Sequence, residues 1–413
     1  MLTKKMKDSG IEWVGEIPED WLLVKYKRFA KSGMGVTLLK SDLLDRETAD
    51  SIPVYSATQG NEFFGYTENK KLLLECGDLV IPARGNSIGH IKVVDKTATS
   101  TQTTIYSKVF SNEINIMFLK YCSDGLKDNW FKFDDTAIPQ ITVNQVNNNP
   151  VPYPSLKEQE KIVKILNKIT QKVDNILKQT QQSIKELKKY KQSLITESVT
   201  KGLDPNVEMK DSGVGWIENI PKHWKFIKGK YIFKKLQRPI RCDEIVTAFR
   251  DGQVMQRSKR RTEGFTNSLK EIGYQGVEKG DLVIHSMDAF AGAIGISQDN
   301  GKCSPVCIVL NSFNSNIYNP YFSYLMRVYA YLGYIESMAK GIRVRSSDFK
   351  YHTFANTFLL IPKLQEQQQI VQYLDNKISI IDRLIEDKTK VIEELENYKK
   401  SLIYEYVTGK KEV

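Results

Sequence analysis

Two stretches of the chain carry apolar residues at helical spacing over more than thirty positions. Ile162, Leu166, Ile169, Val173, Ile176, Leu187, Tyr190 and Leu194 fall in one heptad register, as do Ile370, Leu374, Ile381, Leu384, Val391, Leu395, Tyr398 and Leu402. A three-four spacing of this kind lays a stripe along one face of a helix. Neither stretch has an internal proline or glycine, and Thr180 and Lys388 interrupt the two stripes at the same slot. From Leu156 to Val199 such a helix runs about 65 Å. A stripe of that length is unstable in water unless it is covered, so the pattern predicts that the two helices pair as an antiparallel coiled coil. The alternative is that each helix packs on its own globular neighbour.

About 150 residues of mixed character precede each helix. Short apolar runs punctuated by glycine, such as Leu79-Val80-Ile81-Pro82 and Ala293-Ile294-Gly295-Ile296, predict strands there. Prolines (Pro150, Pro152, Pro154, then Pro362) read as the stop before each helix. The halves repeat one another. Met6-Lys7-Asp8-Ser9-Gly10 returns as Met209-Lys210-Asp211-Ser212-Gly213, an offset of 203 that also relates Trp13 to Trp216, Ile17-Pro18 to Ile220-Pro221 and Trp21 to Trp224. Gly77-Asp78-Leu79-Val80-Ile81 returns as Gly280-Asp281-Leu282-Val283-Ile284. After that the offset becomes 208, matching Pro154-x-Leu156-x-Glu158-Gln159 to Pro362-x-Leu364-x-Glu366-Gln367 and Tyr190-Lys191 to Tyr398-Lys399. The predicted architecture is α+β: two globular α/β domains (1–154 and 202–361) separated by two long antiparallel helices (155–201 and 362–408), in a pseudo-two-fold internal repeat.

Composition narrows the function. A formal charge of +11 is the footprint of a protein that faces a polyanion. No run approaches 18 apolar residues, so no membrane span is expected, and the basic Met1–Lys7 leads to no apolar signal segment. Five scattered cysteines read as free thiols in a reducing compartment. Cys303 and Cys307 are close in sequence, but a structural zinc site needs four ligands, so no metal is expected.

The order domain, helix, domain, helix, with the Asp8-Ser9-Gly10…Trp13…Ile17-Pro18…Trp21 opening and the Pro-x-Leu-x-Glu-Gln helix start both present twice, resembles the specificity subunits of type I restriction–modification systems. The resemblance spans essentially the whole chain, with Asn219 standing where the first opening has Glu16. It implies a non-catalytic, cytoplasmic DNA-binding subunit whose two target-recognition domains each read one half of a bipartite double-stranded target. It further implies helices that act as a ruler and dock two methyltransferase (modification) subunits, with restriction subunits joining through them. S-adenosylmethionine, ATP and magnesium would then belong to those partners, and this chain would carry no cofactor.

A search for chemistry agrees. Asn149-Pro150-Val151-Pro152-Tyr153 only approximates an amino-methyltransferase motif, because Val151 interrupts it. Gly295 through Gly301-Lys302-Cys303 misses phosphate-loop spacing and reads as a hairpin turning at Asp299-Asn300-Gly301. His90, His223, His285 and His352 have no partners at catalytic or metal spacing. Two rivals stay open: a fused methyltransferase or nuclease with an unrecognised motif, and a coiled-coil scaffold that binds only protein.

Base edges are read mainly by Arg, Lys, Asn and Gln, with hydroxyl and basic groups holding phosphates. The candidates in the first domain are Arg84, Asn86 and Ser87, and then Gln102 and Thr103. In the second they are Arg250, Arg257, Lys259, Arg260 and Arg261 around Asp251, then Ser286 and Asp288 in the loop matching Ala83–Gly85, and finally Arg343 and Arg345. Alternation puts those last two on one face of an extended segment. Asp78 and Asp281, inside a repeated motif, read as turn or capping residues.

Overall fold

The computed structural model describes residues 5–58, 60, 62–85, 87–130, 140–260, 272–338 and 349–413. They form two compact units: 1–181 with 388–413, and 182–387. The long helices, Leu156–Lys201 and Leu364–Val407, are therefore each divided between both units.

Each unit opens on the repeated motif. Met6–Asp8 pairs antiparallel with Glu16–Pro18, and Met209–Val214 pairs with Ile217–Pro221. The Asp-Ser-Gly sequence is the turn chemistry of this hairpin. Asp8 and Asp211 each accept the amide two residues on, from Gly10 (3.0 Å) and Gly213 (2.9 Å). Both glycines have φ near +70°, which a side chain would oppose.

A four-stranded antiparallel sheet follows. Its order in the first unit is Ala30–Met34, Thr104–Val109, Leu79–Pro82, Lys92–Val93. In the second it is Phe233–Lys235, Cys307–Ser312, Leu282–His285, Ile294–Ile296. The repeated aspartates work as expected: Asp78 accepts the Glu75 amide (2.9 Å) and Asp281 that of Glu278 (2.8 Å), closing the turn into the third strand of each sheet. A helix, Ile116–Trp130 or Asn319–Tyr331, packs on each sheet.

The units differ in a smaller second layer. The first has a three-stranded sheet of Gly65–Thr67, Ile52–Tyr55 and Thr99–Ser100. The second has two ladders, Val246–Ala248 with Val254–Gln256 and Gln275–Val277 with Gly301–Cys303. Asp299-Asn300-Gly301 thus links strands of different sheets, and the hairpin expected there does not form.

The prolines before the first helix are not a bare stop. Pro150–Tyr153 is a strand paired with Leu22–Lys25, as Phe358–Ile361 is with Lys225–Lys228. Pro150 and Pro152 fit because the strand has only one neighbour, so their missing N–H groups face no ladder. The methyltransferase-like Asn149–Tyr153 run is this strand and the residue before it.

The Glu-Gln pair at each helix start ties the helix to its domain. Trp21 Nε1 donates to Glu158 (3.2 Å) and Trp224 Nε1 to Glu366 (2.9 Å). Gln159 and Gln367 are fully buried. Each accepts one backbone amide, from Asn115 (2.7 Å) or Tyr318 (2.8 Å), and donates to two carbonyls. A buried backbone group left unmatched costs about 1–3 kcal/mol, so neither glutamine is replaceable by an apolar residue.

The core of the first unit takes Ile162 and Leu166 from the start of the first long helix and Leu402, Ile403, Tyr406 and Val407 from the end of the second. That of the second unit takes Ile370, Leu374 and Ile381 from the start of the second helix and Leu194, Ile195 and Val199 from the end of the first. Where the start of one helix meets the end of the other, the two form an antiparallel pair, and an ion pair crosses between them in each unit. These are Lys399 to Asp174 (2.6 Å) and Lys191 to Asp382 (2.6 Å), equivalent residues at the 208 offset.

The continuous seam expected from the heptads does not form. Ile176, Tyr190, Leu384, Val391 and Tyr398 are 43–55% exposed, whereas most of the buried stripe residues lie toward the ends, where a globular domain covers them. Both sequence readings thus hold in part: the helices pair, and each also packs on a domain at both of its ends.

Candidate nucleic-acid interface

In the second unit, Val246–Ala248 and Val254–Gln256 form a hairpin whose tip, Phe249–Gln253, is closed by bonds from Phe249 N to Gln253 O and from Gly252 N to Phe249 O (both 2.8 Å). A single 3-10 turn, Arg257–Lys259, follows the second strand. Together they carry Arg250, Arg257 and Arg260 to one wall of a cleft of about 620 Å³, opposite His285 and Asp288 at the end of the sheet strand Leu282–His285.

Four of the sequence candidates, Arg250, Arg257, Arg260 and Asp288, therefore meet in one place. Phe249, Asp251 and His285 line it too. In sequence His285 stands at no catalytic or metal spacing; in the fold it meets Asp288, three residues on, and Arg250 and Arg257 from the hairpin and the turn that follows it.

The arginines are oriented by acids and rings. Arg250 donates from Nε (3.2 Å) and Nη2 (2.7 Å) to Asp288 Oδ1 and lies over Phe290. Arg260 holds both oxygens of Asp251 (3.0 and 2.8 Å), with its guanidinium 4.1 Å from the centroid of the Phe249 ring. Burial pushes the Asp251 carboxyl up, but hydrogen bonds from Arg260 and the Gln253 amide, with the field of Arg260 and Arg327, leave it below its ordinary value and ionised. Burial also lowers the His285 imidazole, against the pull of Asp288 and with the push of Arg257 and Arg250. At neutral pH it is uncharged, and its Nδ1 accepts the Asp288 amide (3.3 Å).

Ion pairs this exposed are worth at most about 1 kcal/mol, so a ligand can displace them without disturbing the fold. The cleft presents fixed, exchangeable donors with net positive charge, which suits base edges and phosphates.

Two candidates in this unit are placed otherwise. Lys259 is held by Asp299 at 2.5 Å and is not part of the cleft wall. Ser286 is buried with its hydroxyl on the Val306 carbonyl (2.8 Å), so it fastens the loop and cannot read a base.

In the first unit Arg84 is exposed beside the sheet and bridges to Gln140. Gln102 is exposed and accepts from Thr37 (2.8 Å). Ser87 is corrected in the same way as Ser286: it is buried, and its hydroxyl donates to the Ala57 carbonyl (2.8 Å). The Thr103 hydroxyl lies 2.7 Å from that of Thr101 and 3.2 Å from that of Ser56. Both candidate loops thus converge on Ser56–Thr58, which sequence reasoning missed.

Beneath that segment Lys92 is 2% exposed and donates to the Ser56 carbonyl (3.0 Å) and the Thr58 hydroxyl (2.9 Å). Burial pulls its pKa below the ordinary 10.5. The only hint in sequence was a charge interrupting the apolar run Ile91–Val94.

Asn86, Arg261, Arg343 and Arg345 lie outside the described residues. Cys303 and Cys307 are buried free thiols, and among the described residues no group of three or more metal-ligating side chains forms. No helix there is long and apolar enough to cross a membrane.

The family model of the type I restriction modification DNA specificity domain matches twice, over residues 18–186 and 226–394. Each match runs from a target-recognition domain through most of the long helix that follows it.

The MjaVIII specificity subunit of a Methanocaldococcus jannaschii type I restriction enzyme is 24% identical, over 95% of this chain and 93% of its own length. A putative type I restriction enzyme MjaX specificity subunit of the same organism is 23% identical, over 96% and 95%. Among solved structures, a chain from work on complex assembly and conformational transition of the type I R-M system superposes with a TM-score of 0.69 at 14% identity, over 95% of this chain and 98% of its own. The HsdS subunit from Thermoanaerobacter tengcongensis superposes with a TM-score of 0.52 at 14% identity, over 96% and 98%.

Fold and matches define a DNA-recognition subunit with two target-recognition domains. The chain belongs to the specificity subunits of type I restriction–modification systems, which recognise DNA within a larger complex and are not themselves catalytic.

Proposed function

We propose that the chain reads a bipartite duplex target, one half with each domain, and presents it to modification subunits docked on its helices. The observation that carries this is the convergence in one cleft of Arg250, Arg257, Arg260 and Asp288 from separate segments of the second unit. In the first unit Arg84, Gln102 and Thr103, with the Ser56–Thr58 segment, form the corresponding reader. Asn86 and Arg261 are proposed alongside them, as are Arg343 and Arg345.

For docking, each unit's helices expose an aliphatic and a tyrosine that recur at equivalent positions in the other unit. These are Ile176 with Tyr398 in the first unit and Leu384 with Tyr190 in the second, all 44–55% exposed and equivalent at the 208 offset. Two equivalent apolar pairs suit two copies of one partner, the modification subunit, through which restriction subunits join. S-adenosylmethionine, ATP and magnesium are then needed by those partners, and the complex works where cellular DNA is, in the cytoplasm.

Replacing Arg250 or Arg260 with Ala in the assembled complex is expected to weaken cognate binding by about 1–3 kcal/mol and to relax selectivity in one half-site only. Replacing Arg343 and Arg345 together should do the same if they read bases, or weaken all sequences alike if they hold phosphates. Titration of cognate and base-substituted duplexes measures both. Unchanged affinity and selectivity in the Arg250 and Arg260 variants would remove the cleft from the interface.

A further inference from the structure

A second cleft, of about 410 Å³, adjoins the first. It lies between the end of the first long helix (Gln192), the helix Asn319–Tyr331 (Tyr324, Arg327) and the Phe290–Gly292 turn, and Arg250 lines both clefts. Arg327 is half-buried, and among the described residues no hydrogen bond or ion pair reaches its guanidinium. Asp251 and Asp382 act on it through space only, being bonded to Arg260 and Lys191.

The hairpin tip is cut to admit this group: a methyl at Gly252 would lie 2.5 Å from the guanidinium carbon. The helices Ile116–Trp130 and Asn319–Tyr331 still align at the 203 offset, as the equivalent Asn115 and Tyr318 amides show, so the matching position in the first unit is Asp124, already paired with Lys120 at 2.5 Å, and the feature belongs to the second unit's own surface. An arginine that is partly desolvated, with a planar fork of donors and nothing bonded to it, is built for an oxyanion. Among the described residues lining the cleft, Glu336 is the one acid beside Arg327 and Arg250, and the cleft continues a surface that suits base edges.

We infer that this cleft holds one backbone phosphate of the duplex, gripped by Arg327, and so sets the register of the second domain on its half-site. The inference rests on the DNA-reading role proposed above, and its test separates the two.

Affinity of the complex for cognate and unrelated duplexes is measured against salt for the natural chain, Arg327→Gln and Arg327→Lys. Arg327→Gln should weaken both duplexes alike and flatten the slope of log affinity on log salt by about one, while Arg327→Lys keeps most of that slope. Neutral methylphosphonate placed at successive positions around the half-site should weaken the natural chain at one position that Arg327→Gln no longer senses. An unaltered slope in Arg327→Gln, or methylphosphonate sensitivity identical to that of the natural chain, overturns the phosphate site while leaving the reading cleft intact. Failure of the natural complex to bind any duplex overturns both.

Discussion

Exchanging residues 209–361 for the second recognition domain of another specificity subunit is expected to change one half of the methylated motif and leave the other half as it was. The expectation follows from the two cores. The apolar cluster of the second unit is complete without any residue of 5–181, and its contacts to the helices run through a short set of positions. Leu194, Ile195, Val199, Ile370 and Leu374 stay with the host, and a donor domain must supply surfaces for them. The repeated motifs make that feasible, because Trp224 to Glu366 and Gln367 to the Tyr318 amide are the same bonds that Trp21 and Gln159 make in the first unit. Specific recognition of DNA exceeds non-specific binding by about 4–10 kcal/mol, so replacing one reader moves that half-site wholly and not by degree. Sequencing the methylated motif of the exchange mutant checks it. Simultaneous change in both halves would mean that the domains do not read independently.

Lengthening both helices is expected to lengthen the unspecified gap between the half-sites. The place for the insertion is set by packing. After Glu197 it would drag Val199 out of the second core, so it belongs after Gln181 in the first helix and after Asp387 in the second, where the two units divide. Both helices must be extended together, because each reaches both cores. Four helix-forming residues add about 6 Å and turn the helix about 40° past a full revolution. At about 3.4 Å per base pair, the gap should grow by one or two base pairs while both half-site sequences persist. The methylated motif of the double-insertion mutant measures this, and an unaltered gap would show that something other than helix length sets the spacing.

The plan of the molecule was legible because it is written twice. The 203 and 208 offsets located both helix starts, and the repeated residues proved to be scaffold: Asp8 and Asp211 shape a turn, Asp78 and Asp281 another, and Glu158 and Glu366 hold a tryptophan. What local pattern could not record was which distant surface covers a stripe. Ile176 and Leu166 look alike in the heptad, yet a domain buries only the second.

The candidate interface was legible by residue type and not by orientation. Arg250 and Arg260 sit in one cleft because a hairpin turns there, whereas Ser87 and Ser286, equally plausible on a loop, point inward to carbonyls thirty and twenty residues away. Phe249, His285, Lys92 and Arg327 escaped notice because what distinguishes each is a tertiary neighbour.

The central claim is that the two domains of this one chain each read half of a single target. It is tested most directly by long-read mapping of methylated bases in a host with the intact gene and in the same host after its deletion. The account predicts a motif of two defined, dissimilar halves separated by a fixed unspecified gap, methylated with the gene and unmethylated without it. A continuous motif, or a bipartite one that stays methylated after deletion, would contradict it.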